Sequence, residues 1–114
     1  MRKYVAFDLE TTGLSPETDQ IIEIGAVKIQ DGKITGKYNC ILYPEIPVTD
    51  FIIELTGITR EMLAKGIPLQ QGVEGFLTFS EGFPVLGHNL NFAYSFMKTA
   101  AKMYNRSFEK VGVD

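Results

Sequence analysis

The 114-residue sequence is poor in the two residue types that most often hold transition metals, with one cysteine, Cys40, and one histidine, His88. A single cysteine excludes an intramolecular disulfide and a cysteine-based zinc cluster, and it fits a reducing compartment. No stretch approaches the ~18–20 consecutive apolar residues of a membrane span. The N-terminal MRKYVAFDLE has no apolar run long enough for a signal peptide. These absences predict a cytoplasmic protein with no membrane partner.

The chain also lacks an excess of positive charge, since its formal net charge is −3. Nucleic-acid binding must therefore be local, or must involve metal ions that reverse the sign of an acidic site. The length is enough for one domain and too short for two. The composition, with 45% hydrophobic and 22% charged residues, is that of a soluble globular protein. We expect one domain over residues 1–114.

The first half of the sequence predicts an antiparallel meander of three strands. The Asp31-Gly32 pair between two Ile- and Val-rich segments is a strong hairpin signal. The predicted strands are Tyr4–Leu9, Gln20–Gln30 and Lys33–Leu42. A loop, Thr11–Pro16, separates the first two.

The second half predicts helices that alternate with strands. Apolar residues recur at helical spacing, most clearly at Val73, Phe76 and Leu77, and along the last helix from Leu90 to Tyr104. The predicted helices are Asp50–Leu55, Thr59–Ala64, Leu69–Phe79 and Asn89–Tyr104, with Thr59 and Asn89 as N-caps. The predicted strands are Pro84–Gly87 and Phe108–Val113. The fold class is therefore α/β with a mixed sheet, and the element order resembles the ribonuclease H-like architecture.

Two acidic residues, Asp8 and Glu10, stand at the end of the first predicted strand. Alternation along a strand places both side chains on one face, where the two carboxylates repel each other. A divalent cation relieves that repulsion, and hard oxygen ligands favour Mg²⁺ or Mn²⁺. The alternative is a solvated strand face with no metal. The turn that follows, Thr11-Thr12-Gly13, can offer N–H groups and hydroxyls to a terminal nucleotide.

These residues lie within FDLETTGL, Phe7–Leu14, which resembles the first motif of the DnaQ-like (DEDD) 3′–5′ exonucleases. Well-known members are the proofreading subunits or domains of bacterial replicative polymerases, such as the epsilon subunit of DNA polymerase III. Three further segments match the family in its order. They are Ile22–Val27, Leu55–Thr59, and Gly87–Asn89 followed by Phe92.

The resemblance implies a metal-dependent 3′–5′ exonuclease acting on the 3′ ends of single-stranded DNA, with RNA as the alternative substrate. Asp8 and Glu10 would be the catalytic metal ligands of a site for two Mg²⁺ or Mn²⁺ ions. The implied substrate-binding residues are Thr11, Thr12, Leu14, Ile58, His88, Asn89 and Phe92. For His88 the alternative is a locally hydrogen-bonded residue at a helix start, and for Phe92 it is core packing beside Phe96.

The sequence departs from the family at two points. Alanine stands at position 93, where the second motif carries an aspartate. The third motif, which supplies a His or Tyr base and a further aspartate, is absent. We therefore expect the C-terminal part of the fold to be missing and exonuclease activity to be impaired. The alternative function is a non-catalytic module that binds nucleic-acid ends or a polymerase subunit.

The absent C-terminal helices would cover part of the sheet in the family. Without them an apolar face is exposed, and exposed apolar faces favour association. A homodimer that covers this face is therefore a further expectation.

Overall fold

The computed structural model of the chain describes residues 2–113, so Met1 and Asp114 lie outside it. Within these residues one five-stranded sheet has the order β3-β2-β1-β4-β5. β1 to β3 are antiparallel, whereas β4 runs parallel to β1 and β5 parallel to β4. The strands are β1 Lys3–Thr11, β2 Ile21–Gln30, β3 Lys33–Ile41, β4 Val85–Leu86 and β5 Gly112–Val113. The helices are α1 Asp50–Thr56, α2 Arg60–Ala64, α3 Leu69–Phe79 and α4 Leu90–Met103. The predicted α/β mixed sheet is confirmed.

The turn between β2 and β3 shows why the hairpin prediction holds. Both turn residues have positive φ, 51° at Asp31 and 80° at Gly32. This conformation matches the right-handed twist of the flanking strands, and Asp-Gly adopts it readily. The turn fixes the pairing of Gln30 with Lys33.

The main core lies on one face of the sheet, under α3 and α4. Val5, Phe7 and Leu9 alternate along β1 and point into it. Phe76 of α3 is fully buried, with its ring centroid 5.0 Å from that of Phe7 and 5.9 Å from that of Phe108. The predicted apolar face of α3 is confirmed, and three aromatic rings at its centre hold β1, α3 and the C-terminal segment together.

Two glycines that disfavour a helix over α3 are explained by its close approach to β3. A Cβ at Gly72 would lie 2.2 Å from Leu42 Cδ2, and one at Gly75 would lie 2.3 Å from the Tyr38 hydroxyl. The Tyr38 hydroxyl also donates a 2.8 Å hydrogen bond to the Gly72 carbonyl. The helix gives up intrinsic stability at both positions because the close packing requires residues without a Cβ.

Two local predictions for the last third of the chain are confirmed only in part, since Asn89 is the N-cap residue of α4 and a fifth strand does lie within Phe108–Val113. Asn89 precedes α4, but its backbone is left-handed, with φ 55°, and its side chain makes no capping hydrogen bond. The fifth strand is confined to Gly112–Val113. Phe108 is buried in the aromatic cluster rather than paired in the sheet, because packing of its ring decides the path of that segment.

A smaller second core lies beneath α1 and α2. Its buried members are Ile22, Val48, Ile52, Ile58 and Leu63. Each helix has a threonine N-cap, since Thr49 Oγ1 accepts from the Ile52 N–H and Thr59 Oγ1 accepts from the Met62 N–H. The Thr59 cap is as predicted. Among residues 2–113 no helix is long and apolar enough to cross a membrane.

Candidate active site at the end of the first strand

Asp8 and Glu10 occupy the face of β1 that points away from the main core. Asp8 is exposed and Glu10 is partly buried, while Phe7 and Leu9 between and beside them are buried. Asp8 Oδ1 accepts a 3.0 Å hydrogen bond from the Leu9 N–H. The two acidic side chains therefore share one face, as strand alternation predicts.

A third carboxylate lies beside this pair on the neighbouring strand. Glu10 is paired with Glu23 on the neighbouring strand β2. Burial raises the pKa of Glu10 above its ordinary value, and the charges of Asp8 and Glu23 raise it further. The negative form of Glu10 is thus disfavoured in the folded protein.

We expect Glu10→Gln to stabilise the protein at neutral pH, by less than about 1 kcal/mol because solvent screens a partly exposed site. A carboxyl group with a higher pKa in the folded than in the unfolded protein makes folding less favourable as it loses its proton. The free energy of unfolding therefore falls as the pH rises from the ordinary glutamate range through the raised pKa. The difference in free energy of unfolding between Glu10→Gln and the parent should therefore be absent at low pH. It should reach its full size once the pH is above the raised pKa of Glu10. Urea unfolding from about pH 3 to about pH 8 measures it. The exposed Glu54→Gln is the control, and an equal gain there would contradict the assignment.

The loop after Glu10 is held by its own side chains. The Thr11 hydroxyl donates to the Gly13 carbonyl at 2.6 Å. The Thr12 hydroxyl donates to Asp19 at 3.0 Å and accepts from the Gln20 N–H at 3.0 Å. The Thr12 N–H donates to the Gln20 carbonyl. Both hydroxyls thus donate within the loop and shape it, and the predicted contact of Thr11 and Thr12 with a nucleotide stays a prediction.

A cavity of about 420 Å³ opens between this loop and α1. That volume lies in the range of roughly 300–1,000 Å³ typical of ligand sites. Glu10 stands in its wall, and the predicted substrate residues Thr11, Thr12, Leu14 and Phe92 also line it. Phe92 contacts Phe96 as well, with ring centroids 4.9 Å apart, so its two interpretations are compatible.

Three apolar side chains at this cavity are unusually exposed. Leu14 is 82% exposed, Phe51 70% and Leu55 68%. Phe51 and Leu55 lie four residues apart on α1 and so share one face of it. Neither residue was predicted from the sequence as part of the site. Phe51 lies directly beside Ile52, which is the buried residue of α1. Apolar groups gathered at a cavity mouth are suited to contact a flat apolar ligand.

The other predicted substrate residues lie elsewhere. Ile58 is 2% exposed within the second core and does not line this cavity, and its predicted contact with a base or sugar stays a prediction. His88 is exposed and lines a separate open depression that also includes Asp8 and Gly87. Asn89 is exposed at the start of α4.

Comparison with known proteins now decides the family. A family model described as Exonuclease (RNase_T) matches residues 5–111. The chain belongs to the RNase_T exonuclease family. It is 41% identical over 112 residues to the PolC-type DNA polymerase III of Caldanaerobacter subterraneus, covering 98% of this chain and 8% of the polymerase. It is 39% identical over 99 residues to the PolC-type DNA polymerase III of Bacillus subtilis, covering 87% and 7%. The chain thus spans less than a tenth of the length of these polymerases.

Solved exonuclease structures share the fold. E. coli Exonuclease I in complex with a dT13 oligonucleotide superposes with a TM-score of 0.86 at 17% identity, covering 100% of this chain and 28% of that one. Apo Exonuclease I gives the same TM-score and identity and is covered to 29%. The predicted ribonuclease H-like fold and the predicted DnaQ-like exonuclease family are confirmed. The two polymerase relatives are of PolC type, within the prediction of a proofreading subunit or exonuclease domain of bacterial DNA polymerase III; the epsilon subunit itself stays a prediction.

The donor set of this exonuclease chain does not fit a pair of divalent ions. No group of three or more His, Cys, Asp or Glu side chains between residues 2 and 113 is placed to hold a metal ion. Ala93, where the resemblance predicts an aspartate, is 2% exposed and packs in the main core. Its methyl group offers no oxygen that could bind a metal ion.

Proposed function

We propose that this chain is a 3′–5′ exonuclease domain of the proofreading type that keeps the pocket for a DNA 3′ end but is catalytically impaired. The observation that supports the pocket is the cavity with Glu10 in its wall and Leu14, Phe51, Leu55 and Phe92 around it. Apolar side chains around an unpaired base supply stacking and burial that do not depend on sequence. Single-stranded DNA in an Exonuclease I structure of the same fold supports this substrate class.

The proposed impairment rests on the incomplete donor set. Mg²⁺ and Mn²⁺ take six oxygen ligands, of which Asp8 and Glu10 can supply only a part, so we expect this pair alone to bind such an ion weakly and not to hold two ions. The described residues also hold one histidine, His88, which lines the depression beside Asp8 rather than the cavity of Glu10. Loss of a positioned base alone costs about 10²–10⁴-fold in rate.

A non-catalytic role is the second candidate. A domain that binds a DNA end without cutting it, or that binds a polymerase subunit, uses the same fold and the same cavity. The similarity to PolC-type polymerases supports a polymerase subunit as the partner. We also propose that the protein acts in the cytoplasm. Retained binding together with absent cleavage favours this candidate over an active nuclease.

The open face of the sheet is proposed to bind a second copy of the chain. Ala6, Val27 and Leu86 line a depression there beside Asp8, and small apolar side chains on an open sheet face favour burial against another surface. Sedimentation equilibrium at increasing concentration tests the homodimer. A monomer at every concentration, or association unchanged by Val27→Lys, contradicts it.

Binding and cleavage of single-stranded DNA test the main proposal. We expect a fluorescein-labelled oligothymidylate with a free 3′ end to bind, and Leu14→Ala to weaken it by about tenfold, since burying a leucine contributes roughly 1.5–3 kcal/mol. Ile34→Ala is the control, because Ile34 is an exposed apolar residue on β3 outside the cavity. When Mg²⁺ or Mn²⁺ is added, we expect the parent protein to degrade the oligothymidylate very slowly or not at all.

Each part of the proposal has its own contradictory result. Equal binding by parent and Leu14→Ala contradicts the pocket. Rapid degradation that is lost in Asp8→Ala contradicts the impairment. Tighter binding of an RNA oligonucleotide of equal length assigns RNA rather than DNA as the substrate.

A further inference from the structure

The loop that carries Leu14 is organised by one carboxylate, Asp19, which sequence reasoning missed. Asp19 Oδ1 accepts from the Thr12 hydroxyl at 3.0 Å, and Oδ2 accepts from the Ser15 N–H at 3.1 Å. The Asp19 N–H donates in turn to the Ser15 carbonyl at 2.8 Å. Both oxygens and the backbone of this residue are therefore committed to the loop, and the partners lie on either side of Leu14.

Gly13 shows how closely the loop wraps the carboxylate. A Cβ placed on Gly13 would lie 2.4 Å from Asp19 Oδ2 and 2.7 Å from Oδ1. Real Cβ atoms do not approach oxygen so closely, so a side chain at position 13 would expel the carboxylate. The absence of a side chain at Gly13 and the presence of Asp19 thus form one packing arrangement.

Asp19 lies behind the loop and not in the cavity. It lines a separate depression together with Pro16 and Gln20, whereas Leu14 lines the cavity of Glu10. Leu14 is 82% exposed and has almost no packing of its own to hold it there. Its position at the cavity mouth therefore depends on the backbone of the loop, which Asp19 fixes from the far side.

We propose that Asp19 is a positioning residue that holds Leu14 over the cavity so that an unpaired 3′-terminal nucleotide can pack against it. The inference rests on the proposed function, since it assigns how that same pocket is kept in shape. A ligand that binds a preorganised loop does not have to pay the entropy cost of ordering that loop. Affinity should therefore fall when the hydrogen bonds of Asp19 no longer hold the loop in place.

The sign of the effect separates positioning from electrostatics. The chain carries a net charge of −3, so removal of any carboxylate near bound DNA reduces repulsion and tightens binding. Glu17→Ala is the matched control, because Glu17 is an exposed acid of the same loop that forms no hydrogen bond or ion pair with the described residues. Positioning predicts weaker binding for Asp19→Ala, whereas electrostatics predicts tighter binding for both variants.

The experiment measures the fluorescence anisotropy of the labelled oligothymidylate with each variant of the 114-residue chain, at a temperature where circular dichroism shows all of them folded. We expect Asp19→Ala to weaken binding by about tenfold, as does loss of the Leu14 contact. Asp19→Asn keeps one acceptor oxygen and should lie between. Glu17→Ala should stay within about twofold of the parent or bind slightly tighter. Binding by Asp19→Ala equal to that of the parent overturns the inference.

A second readout needs no DNA. Gly13→Ala should lower the urea midpoint of the parent, and it should lower the midpoint much less in the Asp19→Ala background, because the obstructing carboxylate is then gone. Equal shifts in both backgrounds contradict the packing arrangement and overturn the inference. A parent that binds no oligothymidylate overturns the proposed function and this inference together. A parent that binds, with Leu14→Ala weakened and Asp19→Ala unchanged, overturns this inference alone.

Discussion

Phe76→Ala is expected to lower the free energy of unfolding by about 3–5 kcal/mol. Phe76 is fully buried and contacts the rings of Phe7 and Phe108. Truncation removes apolar burial and leaves a cavity between β1, α3 and the C-terminal segment, three parts of the chain that are distant in sequence. Since a domain is stable by only ~5–15 kcal/mol, this one substitution removes a large share of the total. Urea unfolding followed by circular dichroism measures it.

Phe51→Ala is the matched control for this loss. Phe51 is also a helical phenylalanine, but it is 70% exposed, and surface substitutions usually change stability by no more than about 0.5 kcal/mol. The difference between the two variants therefore reports burial rather than residue type. Similar losses in both would contradict the assignment of Phe76 to the core and of Phe51 to the surface.

The parts of the fold that follow from short-range chemistry were predictable from the sequence. Asp31-Gly32 specifies its turn by the φ values that both residues tolerate. Thr59 caps α2 through a hydroxyl three residues from its partner N–H. Alternation along β1 separates Asp8 and Glu10 from the core because the side-chain period of a strand is two. Each of these predictions depends on a few neighbouring residues.

The features that short-range chemistry does not specify depend on partners far along the chain. Leu55 and Ile58 belong to one matched segment, yet Leu55 faces the cavity and Ile58 faces the second core. Whether Leu55 or Ile58 is exposed depends on how α1 and α2 pack on Ile22. The residues next to Leu55 and Ile58 in sequence do not determine this packing. Phe108 behaves likewise, since a strand pattern is overridden by burial of its ring against Phe7 and Phe76.

The candidate site separates two properties that an exonuclease needs. The cavity with Leu14 at its mouth is formed by the loop after β1 and by α1, and both are present. The resemblance predicts an acidic metal ligand on α4, where the buried methyl group of Ala93 stands instead. In the proposed function, binding of a DNA end and hydrolysis of its last bond therefore depend on different parts of the chain.

Ala93→Asp is expected to tighten the binding of Mn²⁺ by at least about tenfold, because a third carboxylate adds to the oxygen ligands of Asp8 and Glu10. Position 93 is 2% exposed in the main core, on the other side of β1 from Asp8 and Glu10. The new carboxylate therefore has to reach the acidic pair past the end of β1, where Phe92 lines the cavity of Glu10. Without metal the new carboxylate is a buried polar group and should cost about 1–3 kcal/mol of stability. Saturating Mn²⁺ should return about 2.7 kcal/mol at a concentration of roughly 100 Kd. Thermal unfolding with EDTA and with MnCl₂ measures both effects.

Ala93→Asn separates the charge of the new side chain from its size. Asparagine has nearly the same shape as aspartate, so both variants should lose stability in EDTA, but the neutral amide is a weaker ligand and Mn²⁺ should restore much less. Combining Ala93→Asp with Asp8→Ala should remove the restoration, because two of the three carboxylates must then bind the ion alone. Equal restoration of the Asn and Asp variants would show that the cation acts elsewhere on the protein. Absence of restoration in Ala93→Asp would show that position 93 does not face the acidic pair, and the loss of this ligand could then no longer explain an impaired site.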